Sequence, residues 1–596
     1  MGGTTLHTRR PALHSQLFAL LAAFAMVFVI CGCSANTAET TAEESSGSQN
    51  ETSVQTVGEY TQNMTDEAAT ALESELGAFE ITAMQRELAA ENEAGYKPLD
   101  AGRGNPNWIN SKSRYAFTRL MDFATEECQR TYSDGDIAGV CNAEGILERF
   151  EAAMDPTDEI DRFLLDAVDY CSTDLGIDKD ELLKEFTDGI IGDYYPSPSR
   201  SLTHTEKIIN AYLQSTLYRG EDIKDETDLF LTEGGTAAMS YVFESLNHSN
   251  VLKPGDKIAI ATPIFTPYLQ IPSVNNYGLV SVNVVSTEEN GWDMDPSELE
   301  KLKDPDIKAL FMVNPSNPAS HAVSDRSLEL LKEAVEANPN LIILTDDVYG
   351  TFVDDFKTVY SALPHNTILV YSFSKLYGST GWRLGAIAMH EDNVVDRIIS
   401  ELPDEERLPV EDQYRIVTDD PAHFKFIERL CADSRSIGLY HTSGLSTPSQ
   451  IMMDMFALTH LVAGEHDSYI EQSRRIVDER YTTLIESLGL ELGDTKSNSM
   501  YYMVLDLNSY IAKNYDEDFL AWKKENIDDL QLLNDLASKE GVVLMYGPGF
   551  DAPEGFVRIS LANLNKEDYV EIARRLNELL DSYYATYQSA QLENAA

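Results

Sequence analysis

The stretch of sequence that decides the fold is Ser372-Phe373-Ser374-Lys375, followed by Gly381-Trp382-Arg383-Leu384-Gly385. The first motif comes directly after an apolar run, Thr367 to Tyr371, that has the composition of a buried β-strand. A lysine held at a strand end among hydroxyl groups can form a Schiff base, and a nearby arginine can clamp a phosphate with two N–H groups. These motifs therefore predict an α/β fold whose chemistry lies at the carboxyl ends of its strands.

Seven β-rich runs recur from about Asp228 onward, and turn residues and a helical stretch follow each of them. The alternation predicts a large domain with a mostly parallel seven-stranded sheet, covered by helices on both faces. A helix over Ser468–Leu488 and three further runs predict a smaller α/β domain. The predicted strands are Leu229–Leu231, Lys257–Ala261, Val280–Val285, Ala309–Val313, Leu341–Leu344, Thr367–Tyr371 and Gly385–Met389, then Met500–Leu507, Val542–Tyr546 and Gly555–Ser560.

The length and composition indicate a globular protein of several domains, with 596 residues of which 43% are hydrophobic and 24% charged. The 45 Lys and Arg against 99 Asp and Glu give a net charge of −54, which argues against nucleic acid or an anionic membrane surface as a partner. We expect a helical segment with part of the small domain over 66–200. The large domain should follow over 201–425, and the rest of the small domain, with an interface segment, over 426–590.

The amino terminus is predicted to be a targeting segment. Arg9 and Arg10 precede an apolar run, Leu17 to Ile30, that is too short to span a bilayer comfortably and suits a signal peptide. Its end resembles a bacterial lipobox, which predicts a signal peptide over 1–32 and lipidation of Cys33. A polar, disordered tether would then occupy 33–65. We expect the protein to be exported, by the general or the twin-arginine route, and to be lipid-anchored at the outer face of the bacterial cell membrane or periplasmic.

Four other motifs carry candidate chemistry, although each alone also fits an ordinary structural turn or strand. Glu233-Gly234-Gly235-Thr236 links a strand to a helix and could hold a phosphate. Asp346-Asp347-Val348-Tyr349 offers a carboxylate for a protonated ring nitrogen and a phenol for a ring oxygen, and Asn314-Pro315-Ser316-Asn317 offers an amide donor to that oxygen. Arg558, in a strand pattern, could receive a carboxylate. No Cys-x-x-Cys or His-x-x-x-His spacing indicates a metal site.

Together, these motifs resemble the fold-type I aminotransferase family over about residues 100 to 590. The resemblance implies pyridoxal 5′-phosphate as the cofactor and 2-oxo acids and amino acids as substrates. It also implies a role for each matching residue: Lys375 as the Schiff-base lysine; Gly235, Thr236, Ser372 and Arg383 around the phosphate; Asp346 on the pyridine nitrogen; Asn317 and Tyr349 on the phenolic oxygen; Phe265 stacked on the ring; and Arg558 on the α-carboxylate.

Four stretches are also similar to bacterial aspartate 4-decarboxylases that act as aspartate aminotransferases: Arg103–Trp108, Gly234–Met239, Pro263–Tyr268 and His441–Gln450. This resemblance implies conversion of L-aspartate to L-alanine and carbon dioxide, with transamination of aspartate as a side reaction. That family's helical insertion would correspond to about 401–438. The chain departs from the family in its exported amino terminus, because such enzymes are usually cytoplasmic.

The group that holds the side-chain carboxylate of aspartate is the open question of the sequence. Ordinary aspartate aminotransferases supply an arginine from the neighbouring subunit in the region that corresponds to His441–Gln450, and this stretch contains none. Arg103 is the expected replacement, a surface arginine is its alternative reading, and His441 is the next candidate. Tyr195 could reach the phosphate site across the interface of a homodimer or higher homo-oligomer, as a similarly placed tyrosine does in the family.

Two other functions compete with this prediction. An aminotransferase of a different amino acid would share the cofactor residues and differ at the contacts to the substrate side chain. A non-enzymatic binding lipoprotein would have no need for Lys375, Asp346 and Arg383 together, and all three are present.

Overall fold

The computed structural model of the protein describes residues 77–219, 221–272, 277–435, 437, 442–493 and 495–595. The predicted signal peptide and tether, with Cys33, lie outside the described residues, and so does His441. Within the described ranges, no helix is long and apolar enough to cross a membrane.

The described strands form a seven-stranded sheet, a three-stranded sheet and two short pairs. In chain order they are β1 Leu99–Asp100, β2 Ser133–Asp134, β3 Ile137–Ala138, β4 Thr227–Thr232, β5 Lys257–Thr262, β6 Val280–Val285, β7 Ile307–Val313, β8 Ile342–Asp346, β9 Thr367–Ser372, β10 Gly385–His390, β11 Tyr502–Asp506, β12 Val542–Val543, β13 Met545–Tyr546 and β14 Phe556–Ser560.

The large sheet has the strand order β4-β10-β9-β8-β7-β5-β6. All neighbouring strands are parallel except β10, which runs antiparallel to both β4 and β9. Each of the seven predicted runs forms one strand of this sheet, so the predicted α/β fold class with a mostly parallel seven-stranded sheet is confirmed. Because β7, β8 and β9 run in the same direction, their carboxyl ends meet at one edge of the sheet.

Helices account for most of the remaining structure and begin, in many cases, at side chains that accept a hydrogen bond from the first turn, such as Asn110 and Ser324. They are α1 Ala78–Ala90, α2 Ser111–Thr131, α3 Ile146–Ala153, α4 Glu159–Thr173, α5 Lys179–Ile191, α6 Thr203–Thr216, α7 Gly235–His248, α8 Thr266–Gln270, α9 Pro296–Leu299, α10 Asp325–Ala337, α11 Val359–Ala362, α12 Val394–Glu401, α13 Asp404–Tyr414, α14 Phe426–Asp433, α15 Thr447–Ala463, α16 Ser468–Ser487, α17 Leu507–Asn514, α18 Glu517–Asn526, α19 Asp529–Glu540 and α20 Lys566–Ala595.

The large sheet has an apolar core on each face. Alternate residues of β7 point to opposite sides: Phe311 belongs to the core shared with α2 to α7 and α15, whereas Leu310 and Met312 belong to the core under α10. The predicted helical insertion, residues 401–438, contains α13 and α14. Residues 111–191 pack on the large-sheet core. Before them, α1 packs against Ala537 and Val543, and β1 pairs with β12.

The predicted strand Val542–Tyr546 is divided between two sheets. Val542 and Val543 pair with β1, whereas Met545 and Tyr546 pair with β14. The chain changes partner at Leu544, because the segment after β1 lies between the two regions: Ala101 N–H donates to the carbonyl of Val543, and the Ala101 carbonyl accepts from Ser560 N–H. This arrangement directs the segment from Ala101 to Asn107 toward the carboxyl edge of the large sheet.

Candidate active site

A cavity of about 230 Å³ lies at the carboxyl ends of β7, β8 and β9, beside the first turn of α7. Ten of the predicted site residues line it: Gly235, Thr236, Phe265, Asn317, Asp346, Tyr349, Ser372, Lys375, Arg383 and Arg558. The residues come from the ends of five strands of the large sheet, or the connections after them, and from β14 of the three-stranded sheet, called the small sheet below. The structure thus brings together residues that are more than 300 positions apart in the chain.

Asp346 is the carboxylate at the floor of the cavity. It ends β8, is 6% exposed, and its Oδ2 accepts a hydrogen bond of 2.7 Å from the hydroxyl of Tyr268. Its Oδ1 accepts from the Val348 N–H at 3.2 Å. Burial raises the pKa of Asp346 to about 6, against the two hydrogen bonds, which favour the charged form. Asp346, and not its neighbour Asp347, is the acid of this motif that lines the cavity.

Lys375 lies just beyond the end of β9, in the turn that leads to β10. The turn is closed by Phe373 N–H donating to the carbonyl of Leu384 and by a hydrogen bond between the hydroxyls of Ser372 and Ser374 at 2.9 Å. The ammonium of Lys375 donates to the carbonyl of Gly104 at 3.1 Å. The lysine is therefore held on the large sheet and reaches toward the segment that follows β1.

A candidate phosphate site lies at the amino terminus of α7. Helix α7 begins at Gly235, and Gly234 before it has φ +92°. A Cβ on Gly234 would lie 2.5 Å from Arg383 Nη2, so only a glycine lets the guanidinium come this close to the backbone. Arg383 itself has φ +58°, an uncommon conformation for a residue with a side chain. The helix amino terminus and the arginine together favour an anion between them.

A hydrogen-bonded group joins Asn317, Tyr349 and Arg558, which also line the cavity. The amide of Asn317 donates to the Tyr349 hydroxyl at 3.4 Å, a long contact, and its oxygen accepts from Arg558 Nη1 at 3.0 Å. Arg558 Nη2 donates to the carbonyl of Gly102 at 2.7 Å. The guanidinium lies 4.2 Å from the centre of the Tyr502 ring, and the Tyr502 hydroxyl bonds that of Tyr349 at 2.9 Å.

Arg558 is a buried cation that has no matching anion in the part of the chain that the structure describes. Its side chain is 2% exposed, its Nε has no hydrogen-bond acceptor, and among the described residues it forms no ion pair within 4.0 Å. Burial lowers the pKa of Arg558. Because an unpaired buried charge is costly, this site is built for an anionic ligand such as a carboxylate.

Two predicted residues that the structure describes, Arg103 and Tyr195, do not line the cavity of this chain. Arg103 is exposed and does not line it, although Gly102 and Gly104 on either side contact Arg558 and Lys375. Tyr195 is 69% exposed and lines a neighbouring cavity together with Arg383. His441 lies outside the described residues, so its role stays a prediction.

Sequence reasoning gave no role to several other residues that line the cavity, among them Tyr268, Tyr502, Gly104 and Phe79. Tyr268 follows Phe265 by three residues, so the helical period could have placed both on one face of α8. Phe79, on α1, packs edge-on against Phe265 with ring centres 5.6 Å apart. Nothing in the local pattern around Phe79 or Tyr502 separates either from an ordinary core aromatic residue.

The sheet is mostly parallel, and its carboxyl edge carries a lysine, a buried acid and the candidate phosphate site. This combination defines an enzyme of the pyridoxal-phosphate-dependent fold-type I class. A family model described as aminotransferase class I and II matches residues 195–576. The chain belongs to this family, whose members depend on pyridoxal 5′-phosphate.

The chain is similar to one characterised relative over most of its length. It is 43% identical over 508 residues to a bifunctional aspartate aminotransferase and L-aspartate beta-decarboxylase from a Pseudomonas species, which covers 84% of this chain and 95% of the relative. Among solved structures, a double mutant of Thermus thermophilus aspartate aminotransferase matches with a TM-score of 0.55 at 17% identity, over 88% of this chain and all of the other. An aromatic aminotransferase from Pyrococcus horikoshii matches with a TM-score of 0.52 at 19% identity, over 83% and 99%. These two likenesses show the fold alone.

Replacing Tyr268 by phenylalanine tests the environment of Asp346. Without the donor to Oδ2, the pKa of Asp346 should rise above about 6, because burial is then opposed by one hydrogen bond fewer. A protonated Asp346 no longer favours a protonated ring nitrogen, so cofactor affinity should weaken as pH falls through this pKa. We expect the midpoint of that loss to move up by about 1 to 2 pH units in the variant, as measured by cofactor titration of the apoenzyme at several pH values.

Tyr218→Phe is the matched control, because Tyr218 is also fully buried and its hydroxyl has no hydrogen-bond partner among the described residues. The same midpoint in both variants would show that the Tyr268 hydrogen bond does not set the protonation of Asp346.

Proposed function

We propose that the protein is a pyridoxal-phosphate-dependent L-aspartate 4-decarboxylase, forming L-alanine and carbon dioxide, that also transaminates aspartate. The observation that carries this proposal is the 43% identity, over nearly the whole of the relative, to the bifunctional Pseudomonas enzyme. Arg558, which is buried and has no ion pair within the described ranges, supports it, because every α-amino acid substrate carries a carboxylate for this site.

The residues of the cavity fit the cofactor. Lys375 can bind its aldehyde, the buried Asp346 can pair with its ring nitrogen, and the amino terminus of α7 with Arg383 can hold its phosphate. A Cβ on Gly235 would lie 3.9 Å from Asp346 Oδ2 and 3.7 Å from Ser372 Cβ. A glycine at this position therefore keeps the space between Asp346 and the candidate phosphate site open.

The chemistry divides between the cofactor and the chain. The bound cofactor supplies an electron sink for the pair left when the α-proton or the side-chain carboxylate leaves the substrate. Lys375, the lysine that lines the cavity, can take up and return the proton. Arg558 orients the substrate through its α-carboxylate, and Asp346, charged above about pH 6, keeps the ring nitrogen protonated.

The choice between decarboxylation and transamination depends on how the side-chain carboxylate is held. A bidentate arginine favours the anion and opposes loss of carbon dioxide. Among the described residues of one chain, the cations that line the cavity are Lys375, Arg383 and Arg558, and each has another task in this mechanism. A weakly held side-chain carboxylate is the state from which carbon dioxide leaves. Arg103, the residue between Gly102 and Gly104, is the proposed contact to this carboxylate.

We propose that the enzyme is a homodimer or a higher homo-oligomer, in which Tyr195 of one chain reaches the phosphate site of the other. The exposed side chains of Tyr194, Tyr195 and Trp382 support this, because they line one cavity together with Arg383. A partner that covered them would bury apolar surface beside the cofactor. Sedimentation of the purified enzyme tests the assembly, and a monomer with full activity would contradict it.

The first prediction concerns Lys375. Lys375→Ala should abolish both formation of alanine and carbon dioxide from aspartate and covalent attachment of the cofactor after borohydride reduction, because no other lysine lines the described cavity. Lys308→Ala, at a lysine that donates to the carbonyl of Pro305, is the control and should behave as wild type. Release of oxaloacetate without alanine by the wild-type enzyme would instead favour an aminotransferase that does not decarboxylate.

The second prediction separates the two carboxylates of the substrate. Arg558→Ala should lower kcat/KM for both aspartate and alanine in half-transamination, since both share the α-carboxylate. Arg103→Ala should lower it for aspartate only, by roughly 10- to 150-fold, the effect of losing a charge-assisted contact. Equal losses for the two substrates in Arg103→Ala would remove Arg103 from the side-chain site and make His441 or a residue of the partner chain the next candidate.

The third prediction concerns location. We propose that Cys33 is lipidated and anchors the exported enzyme to the outer face of the membrane, because the sequence before it resembles a lipoprotein signal. Cys33→Ala should release the protein from the membrane fraction with its activity intact. Retention of the variant in the membrane fraction would show that another element anchors it.

A further inference from the structure

A second group of chemically active side chains lies outside the candidate active site. Ser215, in the last turn of α6, contacts His460 of α15: its Oγ lies 2.9 Å from His460 Nε2. On the other side of the ring, His460 Nδ1 lies 3.0 Å from Oδ2 of Asp467, the residue directly before α16. The three side chains form one continuous hydrogen-bonded chain, in the order and with the spacing of a serine nucleophile, its base and the carboxylate that orients the base.

The two ends of this hydrogen-bonded group of three side chains differ in their exposure to solvent. His460 and Asp467 are 8% and 6% exposed, whereas Ser215 is exposed. All three line a cavity of about 980 Å³ that shares no lining residue with the candidate active site. The acid and the base are thus held in the protein, while the hydroxyl is open to a ligand.

Asp467 fixes the orientation of the imidazole. Its Oδ1 accepts from the backbone N–H groups of Tyr469 and Ile470 at the start of α16, which leaves Oδ2 for His460. A carboxylate only accepts hydrogen bonds, so it selects the tautomer with the proton on Nδ1. The Nε2 lone pair then faces Ser215 and can take the proton of its hydroxyl.

The hydroxyl of Ser215 bonds another side chain and not the backbone of its own helix. Serine and threonine hydroxyls in helices can donate to the carbonyl four residues earlier. Thr216 does so, to Tyr212 at 2.8 Å, and so does the exposed Ser589, to Ala585 at 2.9 Å. Ser215 is turned to His460 instead.

We propose that Ser215, His460 and Asp467 form a second catalytic site that takes the acyl group of a carboxylic ester. Ser215 Oγ bonds to the carbonyl carbon as the bond to the alcohol oxygen breaks, and the serine proton passes through His460 Nε2 to the leaving alcohol. Water then attacks the acyl-serine, gives its proton to His460, and the carboxylic acid leaves as the proton returns to Ser215. No oxidant, metal or cofactor is needed.

The lining of the cavity suits such a substrate. Leu175, Leu461 and Ile470 offer apolar contacts to an acyl chain. The lining also carries acidic side chains, among them Asp174, Glu465 and Glu471, and the cations Lys224 and Arg219, which could donate to the carbonyl oxygen that becomes negative. Their partners Asp222 and Asp355 are 74% and 89% exposed, so water can replace these cations on the carboxylates when a substrate binds.

The test is covalent labelling of the cofactor-loaded enzyme with a serine-reactive fluorophosphonate, with the modified residue located by mass spectrometry. We expect the label on Ser215, its loss in Ser215→Ala, and no change in Ser589→Ala, the matched helical serine. Hydrolysis of p-nitrophenyl butyrate should follow the same pattern, while the reaction of aspartate stays unchanged in Ser215→Ala. Labelling spread over several serines at equal rates would overturn the proposal.

Asp467→Asn separates catalysis from structure. Asparagine is also a good N-cap, so α16 should keep its start. Its oxygen is then used by the N–H groups of Tyr469 and Ile470, so its NH2 group faces His460 Nδ1, can only donate, and selects the wrong tautomer. We expect labelling of Ser215 to slow by at least roughly 100-fold with an unchanged unfolding temperature. An unchanged labelling rate in this variant or in His460→Gln would show that the three residues only tie the helices together.

Discussion

The structure depends on keeping two charges of opposite sign buried and apart in one cavity. Asp346 and Arg558 are 6% and 2% exposed, and neither has an ion-pair partner among the described residues. Removing a charge from water costs several kcal/mol unless other groups compensate. The hydrogen bonds that compensate come from neutral groups: the Tyr268 hydroxyl and Val348 N–H for Asp346, and the Asn317 oxygen and Gly102 carbonyl for Arg558. The charges remain available for a ligand that carries their counterparts.

The fold meets this constraint by placing the charges on different sheets. Asp346 ends β8 in the middle of the large sheet, and Arg558 lies in β14, the middle strand of the small one. Each is therefore held by strand pairing on both sides of its own strand. Asn317 connects the two regions, since it follows β7 and accepts a hydrogen bond from Arg558. A cavity between two sheets of this kind fits a ligand with one group for the acid and another for the base.

The sequence alone was sufficient to predict the large sheet and most of the cavity. The runs around Phe230 and Leu344 are apolar enough to exclude any place but a buried strand, and motifs at strand ends meet because parallel strands share an edge. The partner of Asp346 could not be predicted in this way, because the Tyr268 hydroxyl reaches it only through the packing of the Tyr268 ring against Phe311 of β7. The division of Val542–Tyr546 between two sheets was also beyond local pattern, since it depends on a segment more than 400 residues earlier. The exposure of Arg103 could not be predicted either, because it depends on the course of the segment after β1, which is fixed by hydrogen bonds of Ala101 to Val543 and Ser560.

The course of that segment has a consequence for how the substrate range of the enzyme can change. The contacts to Lys375 and Arg558 are made by the backbone carbonyls of Gly104 and Gly102, whereas the residue between them points its side chain into solvent. Position 103 can therefore accept many side chains without disturbing Lys375 or Arg558. Each new side chain would lie between the two glycines whose carbonyls bind these cations. Charge and length can be varied at this one position at little risk to stability, so a single substitution there can alter the substrate range while the catalytic groups stay the same.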